Sequence, residues 1–327
     1  MRHLITGGAG FIGSHLAELL VARGDEVLVL DDLSTGSRDN LAQLDGRRCE
    51  LVVGSVLDAP LVNRCVDRVD QIFHLAAAVG VRLVVERSVE TIVTNTLGTE
   101  NVLHAAARAG RRIFVASTSE VYGASDQVPF REGANVALGP THRPRWGYAC
   151  SKALDEFLAF AYAREQRLQV TVGRFFNTVG PRQSAQYGMV VPRFVRQALA
   201  GEPITVYGDG LQTRCFAWVG DVAAGMLKLL ETPAARAMVV NLGSEEEVSI
   251  LALAERVKAR TGSRSPLVTV PYAQAYGDDF DDMRRRAPSL DRARELIGYR
   301  PTLDLNAILD RVIAHERARL EPIEKAS

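Results

Sequence analysis

The feature that most constrains the fold is a glycine-rich segment, Gly7-Gly8-Ala9-Gly10-Phe11-Ile12-Gly13, which follows a short apolar run and precedes an amphipathic stretch. Glycine allows a tight turn and lets backbone amides approach a pyrophosphate, and the N-terminus of the next helix adds partial positive charge. The segment therefore predicts a strand, a turn and a helix that bind a dinucleotide. The predicted contacts come from Gly7, Gly10, Phe11, Ile12 and Gly13.

An acidic pair, Asp31-Asp32, follows the second predicted strand, Glu26–Leu30. Asp31 stands 18 residues after Gly13, where a carboxylate can accept hydrogen bonds from the hydroxyls of an adenosine ribose. A carboxylate at this place repels a 2′-phosphate, so the pair predicts NAD rather than NADP as the cofactor. The alternative is a solvated strand end, which the spacing and the context disfavour.

Short apolar runs rich in β-branched residues alternate with amphipathic stretches in the first half of the chain. Such alternation predicts an α/β fold with a parallel, doubly wound sheet. The predicted strands are His3–Thr6, Glu26–Leu30, Leu51–Val53, Gln71–Leu75, Ile113–Ala116 and Val170–Arg174. The predicted helices are Phe11–Ala22, Pro60–Val66, Val89–Ala109, Tyr148–Gln166, Val191–Ala200, Val219–Glu231, Ile250–Arg260 and Asn306–Arg317. We expect a cofactor domain from residues 1–176 plus about 217–243, and a smaller C-terminal α/β substrate domain from 177–216 plus 244–327.

Composition argues against several classes of protein. The 327 residues carry 39 Lys and Arg against 39 Asp and Glu, and a net charge of zero without a basic stripe argues against a nucleic-acid partner. The sequence lacks a run of about 18 apolar residues, so we expect no membrane span. The four cysteines are scattered, without a Cys-x-x-Cys motif or a metal-type pairing with histidine. We therefore expect a cytoplasmic protein with reduced thiols and no metal.

A tyrosine and a lysine four residues apart, Tyr148 and Lys152, share one face of a predicted helix. An ammonium group beside a phenol favours the phenolate and so lowers the pKa of the tyrosine towards working pH. Thr118 follows the strand Ile113–Ala116 and can hydrogen-bond the same substrate hydroxyl. In an arbitrary helix such a pair is usually exposed and without function. After a dinucleotide motif it predicts a general base and its activating cation.

Together these motifs resemble the extended short-chain dehydrogenase/reductase family over nearly the whole chain. The matching segments are Thr6–Gly13, His74–Ala77, Ser117–Gly123, Tyr148-x-x-x-Lys152 and Arg174–Arg182. The resemblance implies a Rossmann domain, NAD as cofactor and a nucleotide sugar as substrate. The further cofactor contacts that it implies come from Leu75, Ala76, Ala77, Tyr148 and Lys152. The implied contacts to the sugar nucleotide come from Asn177, Val191, Gln212 and Arg214.

Two stretches, Val89–Ala109 and Ala153–Ala163, are apolar over a wider arc than one buried helix face requires. In the family that the chain resembles, the equivalent helices form a four-helix bundle between two subunits. The resemblance therefore implies a homodimer.

Three details resemble UDP-glucuronate decarboxylases of the UDP-xylose synthase type. They are Thr118-Ser119-Glu120, the Pro144-Arg145-Trp146 lead-in to Tyr148, and Arg284–Ser289 after Tyr276-Gly277. The resemblance implies that Tyr148 takes the proton of the sugar 4-hydroxyl while a hydride passes from carbon 4 to NAD. The resulting 4-ketone lies β to the carboxylate on carbon 5, so carbon dioxide is lost. Ser119 and Glu120 would border the reacting face, Arg286 would hold the carboxylate, and the product would be UDP-xylose or the 4-keto pentose.

Other activities stay open. The loop Val79-Gly80-Val81-Arg82 is closer to 4-epimerases, in which Arg82 would contact the substrate, and Thr-Ser-Glu also occurs in GDP-mannose 4,6-dehydratases. A 4-epimerase or a 4,6-dehydratase is therefore the alternative enzyme. A non-catalytic dinucleotide sensor, or an RNA-binding relative with the same fold, is disfavoured because both Tyr148 and Lys152 are present. The charged run that contains Asp278, Asp279, Asp281, Asp282 and Arg284–Arg286 also has a simpler interpretation, a solvated loop.

Overall fold

A computed structural model of the chain describes residues 1–320, except residues 45, 81–83, 85, 186–187 and 277–281. The strands in these residues are β1 Arg2–Thr6, β2 Glu26–Asp31, β3 Cys49–Val53, β4 Gln71–His74, β5 Arg112–Thr118, β6 Val170–Phe175, β7 Thr178–Val179, β8 Ile204–Tyr207, β9 Thr213–Cys215, β10 Ala217–Trp218, β11 Met238–Leu242, β12 Glu247–Ser249, β13 Leu267–Val270 and β14 Arg285–Arg286. The helices are α1 Phe11–Ala22, α2 Ala59–Val66, α3 Ser88–Arg108, α4 Pro144–Gln166, α5 Val190–Ala200, α6 Val219–Glu231, α7 Ile250–Thr261, α8 Tyr272–Tyr276, α9 Asp291–Ile297 and α10 Leu305–Leu320.

The central sheet has seven parallel strands in the order β11-β6-β5-β4-β1-β2-β3. The chain runs outwards from β1 to β3 and then returns on the other side of β1 as β4. The carboxyl ends of β1 and β4 therefore border a topological switch point, which is where open α/β sheets bind ligands. The glycine-rich turn follows β1, and Leu75–Ala77 follows β4, so both segments lie at this point.

Helices cover both faces of the sheet. Successive strand residues point to opposite faces, so Ile5 packs into the core beneath α1 and α6, while Leu4 packs into the core beneath α2, α3 and α4. The α/β fold with a doubly wound parallel sheet is thus confirmed. Helices α1 and α6 have the bounds that the sequence predicted.

A second, smaller core is formed by segments that follow β6 and lie before and after β11 in the chain. Helices α5, α7 and α10 pack around apolar side chains that include Phe194, Leu253 and Ile308. Two small sheets flank this core, the parallel pair β8 and β13 and the three-stranded sheet β12-β9-β14. Within the described residues, no helix is both long and apolar enough to cross a membrane.

The structure differs from the sequence-based prediction in several places, and helices α8 and α9, of five and seven residues, were not predicted. The strands after residue 175 were not predicted, because they contain only two to five residues and so show too little periodicity to recognise. The helix predicted from Tyr148 begins four residues earlier, at Pro144. Proline is well suited to the first turn of a helix, where its missing N–H is not needed.

Candidate active site

A cavity of about 710 Å³ opens at the switch point of the central sheet. Every residue that the sequence and the resemblance nominated for the cofactor lines it, namely Gly7, Gly10, Phe11, Ile12, Gly13, Asp31, Asp32, Leu75, Ala76, Ala77, Tyr148 and Lys152. We call this space the first cavity.

The glycine-rich turn fits a pyrophosphate. Gly7 has a φ of +71°, and a Cβ atom there would lie 2.8 Å from the amide nitrogen of Ala76. A Cβ at Gly13 would collide with the carbonyl oxygen of Gly7. Among the described residues, no side chain caps α1, which begins after Gly10, so its first amides can bind an anion in the first cavity.

Asp31 is buried at the end of β2, where its carboxylate binds the backbone. Oδ2 accepts a hydrogen bond from the amide of Ala9 at 2.9 Å, and Oδ1 accepts one from Leu33 at 2.8 Å. Burial raises the pKa of Asp31, although these amide bonds oppose the rise. Each carboxylate oxygen has a second lone pair, so Asp31 can fix the glycine-rich turn and still bind a ribose hydroxyl.

A second cavity of about 370 Å³ adjoins the first, and Tyr148 lines both of them. The predicted substrate and catalytic residues found in its wall are Thr118, Ser119, Glu120, Tyr148, Asn177, Val191, Gln212, Arg214 and Arg286. Lys152 lines the first cavity instead. The predicted contact from Arg82 lies outside the described residues.

Strand pairing brings two arginines together in the second cavity. Strand β14 pairs in parallel with β9, and in this register Arg286 lies opposite Arg214. Arg286 donates a hydrogen bond to Asn177 Oδ1 at 2.6 Å and forms a second, very short contact to Glu120. Asn177 has a φ of +30°, and its Nδ2 donates to the carbonyl oxygen of Cys215 at 3.0 Å.

Arg145 and Asp282 complete a cluster of charges. Arg145 donates to Glu120 at 2.9 Å and to Asp282 at 3.0 Å, and Arg214 donates to the same oxygen of Asp282 at 2.6 Å. Tyr272 donates a further hydrogen bond to Asp282 at 2.7 Å. In the described part of this cluster, three guanidinium groups face two carboxylates, so these five groups carry a net charge of one positive.

Glu120 is ionised in this environment. Burial would raise the pKa of its carboxyl, but the guanidinium groups of Arg145, Arg286 and Arg214 outweigh burial and hold the pKa at about 2. Glu120 is therefore a hydrogen-bond acceptor at neutral pH, and it can position a water molecule or receive a proton. It is not a general acid in this state.

The environment of Tyr148 differs from the sequence-based expectation. Burial raises the pKa of Tyr148, and the negative charge of Glu120 raises it further, while a hydrogen bond with Thr118 opposes the rise. The net direction is opposite to the expected lowering, because burial and the charge of Glu120 outweigh the groups that favour the phenolate. The carboxylate of Asp155, which lies 2.7 Å from Lys152 Nζ, adds a smaller contribution in the same direction.

Sequence analysis missed two residues of the charge cluster. Arg145 was noted only as part of the Pro144-Arg145-Trp146 motif. Because the helix was predicted to begin at Tyr148, it was not recognised that Arg145 belongs to the same helix, three residues before Tyr148 and so on a similar face. Pro144 could have indicated that the helix begins earlier, because proline is common in the first turn of a helix. Asp282 was interpreted as solvated, whereas its carboxylate binds Arg145 and Arg214, which together with Arg286 outweigh the effect of burial and lower its pKa. Asp278, Asp279 and Asp281 lie outside the described residues.

The described residues contain no group of three or more His, Cys, Asp or Glu side chains that could hold a metal ion.

Comparison with known proteins places the chain in a family. The profile of the NAD dependent epimerase/dehydratase family matches residues 3–243. The chain belongs to this family. The resemblance inferred from the motifs is thereby confirmed, and the cofactor in the family's description, NAD, agrees with the fit of the first cavity.

Three proteins similar to this epimerase/dehydratase chain have names that state an enzymatic activity. A UDP-N-acetyl-alpha-D-glucosaminuronate decarboxylase from Bacillus cytotoxicus is 41% identical over 303 residues, which cover 92% of this chain and 93% of the relative. UDP-glucuronic acid decarboxylase 1 from Danio rerio is 38% identical over 98% of this chain and 73% of its own length. The dTDP-glucose 4,6-dehydratase DesIV from Streptomyces venezuelae, solved with NAD bound, superposes with a TM-score of 0.88 at 31% identity and covers 97% of both chains.

Proposed function

We propose that this protein is an NAD-dependent decarboxylase of a UDP-linked uronic acid, with UDP-glucuronate as the substrate. The observation that carries the proposal is the charge cluster of the second cavity, in which Arg286, Arg145 and Arg214 surround Glu120 and Asp282 beside Tyr148. A net positive charge next to the base suits a sugar that carries a carboxylate near the oxidised carbon. The relatives named as decarboxylases support the same conclusion.

The residues act in a defined order in this proposal. When bound, NAD supplies the acceptor for the hydride that leaves carbon 4 of the sugar. Tyr148 takes the proton of the 4-hydroxyl, and Thr118 hydrogen-bonds the same oxygen. Lys152, which lines the first cavity, holds its positive charge close to the base and the cofactor.

Carbon dioxide is lost because oxidation places a ketone β to the carboxylate. The bond between carbon 5 and the carboxyl carbon breaks, its electron pair moves into the ketone as an enolate, and a proton then returns to carbon 5. Arg286 holds the carboxylate until it leaves, and the ionised Glu120, fixed by Arg145, positions the water or the group that returns the proton. Ser119 is buried in the same cavity wall and borders the reacting face.

A second candidate substrate is UDP-N-acetylglucosaminuronate. The relative at 41% identity is named for this sugar, which differs from UDP-glucuronate at carbon 2. Both sugars carry the carboxylate that the charge cluster would bind, so the proposed chemistry is the same for both.

The test is the release of labelled carbon dioxide from carboxyl-labelled UDP-glucuronate and from carboxyl-labelled UDP-N-acetylglucosaminuronate, with purified protein and NAD. We expect release from UDP-glucuronate, together with UDP-xylose or its 4-keto precursor in the mass spectrum. If carbon dioxide is released only from the N-acetylated sugar, the substrate is UDP-N-acetylglucosaminuronate instead of UDP-glucuronate. Epimerised sugar without carbon dioxide, or a 4-keto-6-deoxy sugar from a neutral hexose, would replace the proposal by a 4-epimerase or a 4,6-dehydratase.

Replacing Asp31 by alanine should weaken NAD binding about 10- to 100-fold, because the carboxylate is proposed to accept charge-assisted hydrogen bonds from the ribose. The preference for NAD over NADP should fall as well, because the repulsion of a 2′-phosphate disappears. Calorimetric titration of both cofactors measures both effects. Asp32→Ala is the matched control and should change the preference less. Tighter binding of NADP than NAD by the unchanged protein would contradict the assignment.

We also propose a homodimer that forms through α3 and α4. These helices pack against each other, and their outer faces expose apolar side chains. The exposed residues are Val89, Ile92, Val93 and Leu97 on α3 and Leu154 and Phe157 on α4, with Phe157 at 66% exposure. Two copies of this helix pair would bury these side chains in a four-helix bundle.

Light scattering at micromolar concentration should give the mass of two chains. Phe157→Glu should shift the mass towards that of one chain, because a carboxylate would be buried in the proposed bundle. Leu320→Glu is the matched control, since Leu320 is also exposed but lies at the end of α10. A monomeric mass for the unchanged protein would overturn this part of the proposal.

Two further assignments complete the proposal. Cofactor binding is assigned to residues 1–176 with about 217–243, and binding of the sugar nucleotide to residues 177–216 with 244–327. A cytoplasmic location accords with the four cysteines, all of which are free thiols.

A further inference from the structure

An acidic residue outside both cavities pairs with Lys152. Asp155 is fully buried on α4, three residues after the lysine, and its Oδ2 lies 2.7 Å from Lys152 Nζ, which is only 3% exposed. Asp155 lines neither cavity. Charged side chains are rarely buried completely, so a carboxylate at this position calls for a reason beyond packing.

A buried polar chain runs from the end of β1, next to the glycine-rich turn, towards this ion pair. The Thr6 hydroxyl lies 2.7 Å from His74 Nδ1, and His74 Nε2 lies 2.9 Å from the hydroxyl of Thr99. Oδ1 of Asp155 has no hydrogen-bond partner in the described residues, and burial raises the pKa of the Asp155 carboxyl, while the ion pair with Lys152 and the nearby hydroxyl of Thr99 favour its ionised form. Burial, together with the charge of Lys152, lowers the pKa of His74 to about 3, so this histidine is neutral.

The charges around Tyr148 come from three elements. Glu120 follows β5, Arg286 lies on β14, and Lys152 and Asp155 belong to the same helix as the tyrosine. Of these groups, the carboxylates of Glu120 and Asp155 disfavour the phenolate, and Arg286 favours it. Glu156, the other buried acid on this stretch of α4, forms a two-pronged ion pair with Arg174 at 2.7 and 2.9 Å and is therefore already compensated.

We propose that Asp155 is a positioning residue that holds Lys152 in place and offsets its charge, and that it thereby sets the pH range in which Tyr148 acts as a base. The geometry supports this role because Asp155 forms an ion pair with Lys152 at 2.7 Å but lines neither cavity, so it can hold the lysine without contacting cofactor or substrate. The inference rests on the roles of Tyr148 and Lys152 in the proposed function. It does not depend on which sugar is the substrate.

The experiment compares Asp155→Asn and Asp155→Ala with the unchanged protein, each with NAD bound. The ionisation of Tyr148 is followed by tyrosinate absorbance, as the difference from the same protein carrying Tyr148→Phe. We expect both variants to titrate about one pH unit lower, because a negative charge that disfavours the phenolate has been removed. The acidic limb of the pH profile for sugar oxidation should move in the same direction.

Two further variants make the outcome decisive. Asp155→Glu keeps the charge, so its midpoint should stay near that of the unchanged protein, while Glu165→Gln removes an exposed carboxylate from the same helix and should shift nothing. An unchanged or higher midpoint in both Asp155→Asn and Asp155→Ala would overturn the proposal. Failure of both variants to fold would assign the carboxylate a structural role and overturn it as well. The titration needs no substrate. If the midpoint shifts in the Asp155 variants but the unchanged protein releases no carbon dioxide, the proposed function is contradicted and this inference still holds.

Discussion

Replacing Tyr148 by phenylalanine should slow oxidation of the sugar by about 10²- to 10⁴-fold while the fold and NAD binding are kept. The substitution removes only the hydroxyl group that would take the proton of the 4-hydroxyl. The side chain lies where the two cavities meet, so the lost oxygen is the one that both cofactor and substrate would approach. Tyr148 also contacts Thr118, and this single neutral hydrogen bond contributes about 1 kcal/mol to stability, so the variant should remain folded.

The measurement is the absorbance of NADH in a single turnover, with excess protein and UDP-glucuronate. Tyr162→Phe is the matched control, because it removes a tyrosine hydroxyl from the same helix, where that group bonds to Glu100 at 3.0 Å and lines neither cavity. The control should oxidise the sugar at the normal rate. A normal rate in Tyr148→Phe would remove this residue from the role of base.

Arg286→Lys should reduce decarboxylation about 30- to 1,000-fold, which corresponds to a loss of about 2–4 kcal/mol. A guanidinium group donates two parallel hydrogen bonds to a carboxylate, and an ammonium group cannot reproduce this fork. The planar group of Arg286 already spans two partners, Glu120 and Asn177. Lysine would keep the charge but could not span both partners with the same geometry.

The matched control is Arg285→Lys. Arg285 precedes Arg286 in the same two-residue strand, but it is exposed and binds Glu247 instead of a residue of the second cavity. Labelled carbon dioxide should be released normally by this control. Glu120→Gln should also impair release and spare NAD binding, because Glu120 lines only the second cavity. If Arg285→Lys and Arg286→Lys reduce the release of labelled carbon dioxide equally, Arg286 does not hold the carboxylate.

The fold was predicted well from the sequence, and the residues proposed to bind the cofactor all line the first cavity, because both predictions depend on local patterns. The glycine-rich turn and the acidic pair after β2 need only their neighbours in sequence to be recognised. The charge cluster depends instead on contacts between distant segments, such as Arg145 with Asp282, which lie 137 residues apart. A short, charged segment without periodicity resembles a solvated loop until the pairing of β14 with β9 brings it into the cavity.

The pairing of Lys152 with Asp155 was missed for another reason. The sequence contains both residues at a spacing that allows an ion pair on a helix, but such pairs are common on helix surfaces. Only the burial of both side chains distinguishes this pair from the ordinary case. The direction of the pKa of Tyr148 could not be predicted for the same reason, since it depends on which neighbouring charges are buried together.

Helix α4 carries parts of every task discussed above. Over 23 residues it presents Arg145 to the charge cluster, Tyr148 and Lys152 to the two cavities, and the ring of Phe157 to the outside. Because Phe157 and Tyr148 belong to one continuous helix, a rigid-body movement of α4 against its packing partners would displace the phenol oxygen as well. A displacement of about 1 Å at a reacting group can change a rate about 100-fold. The face that we propose to pair with a second subunit and the proposed catalytic base are therefore carried by the same helix, so association of two chains would also hold the base in place.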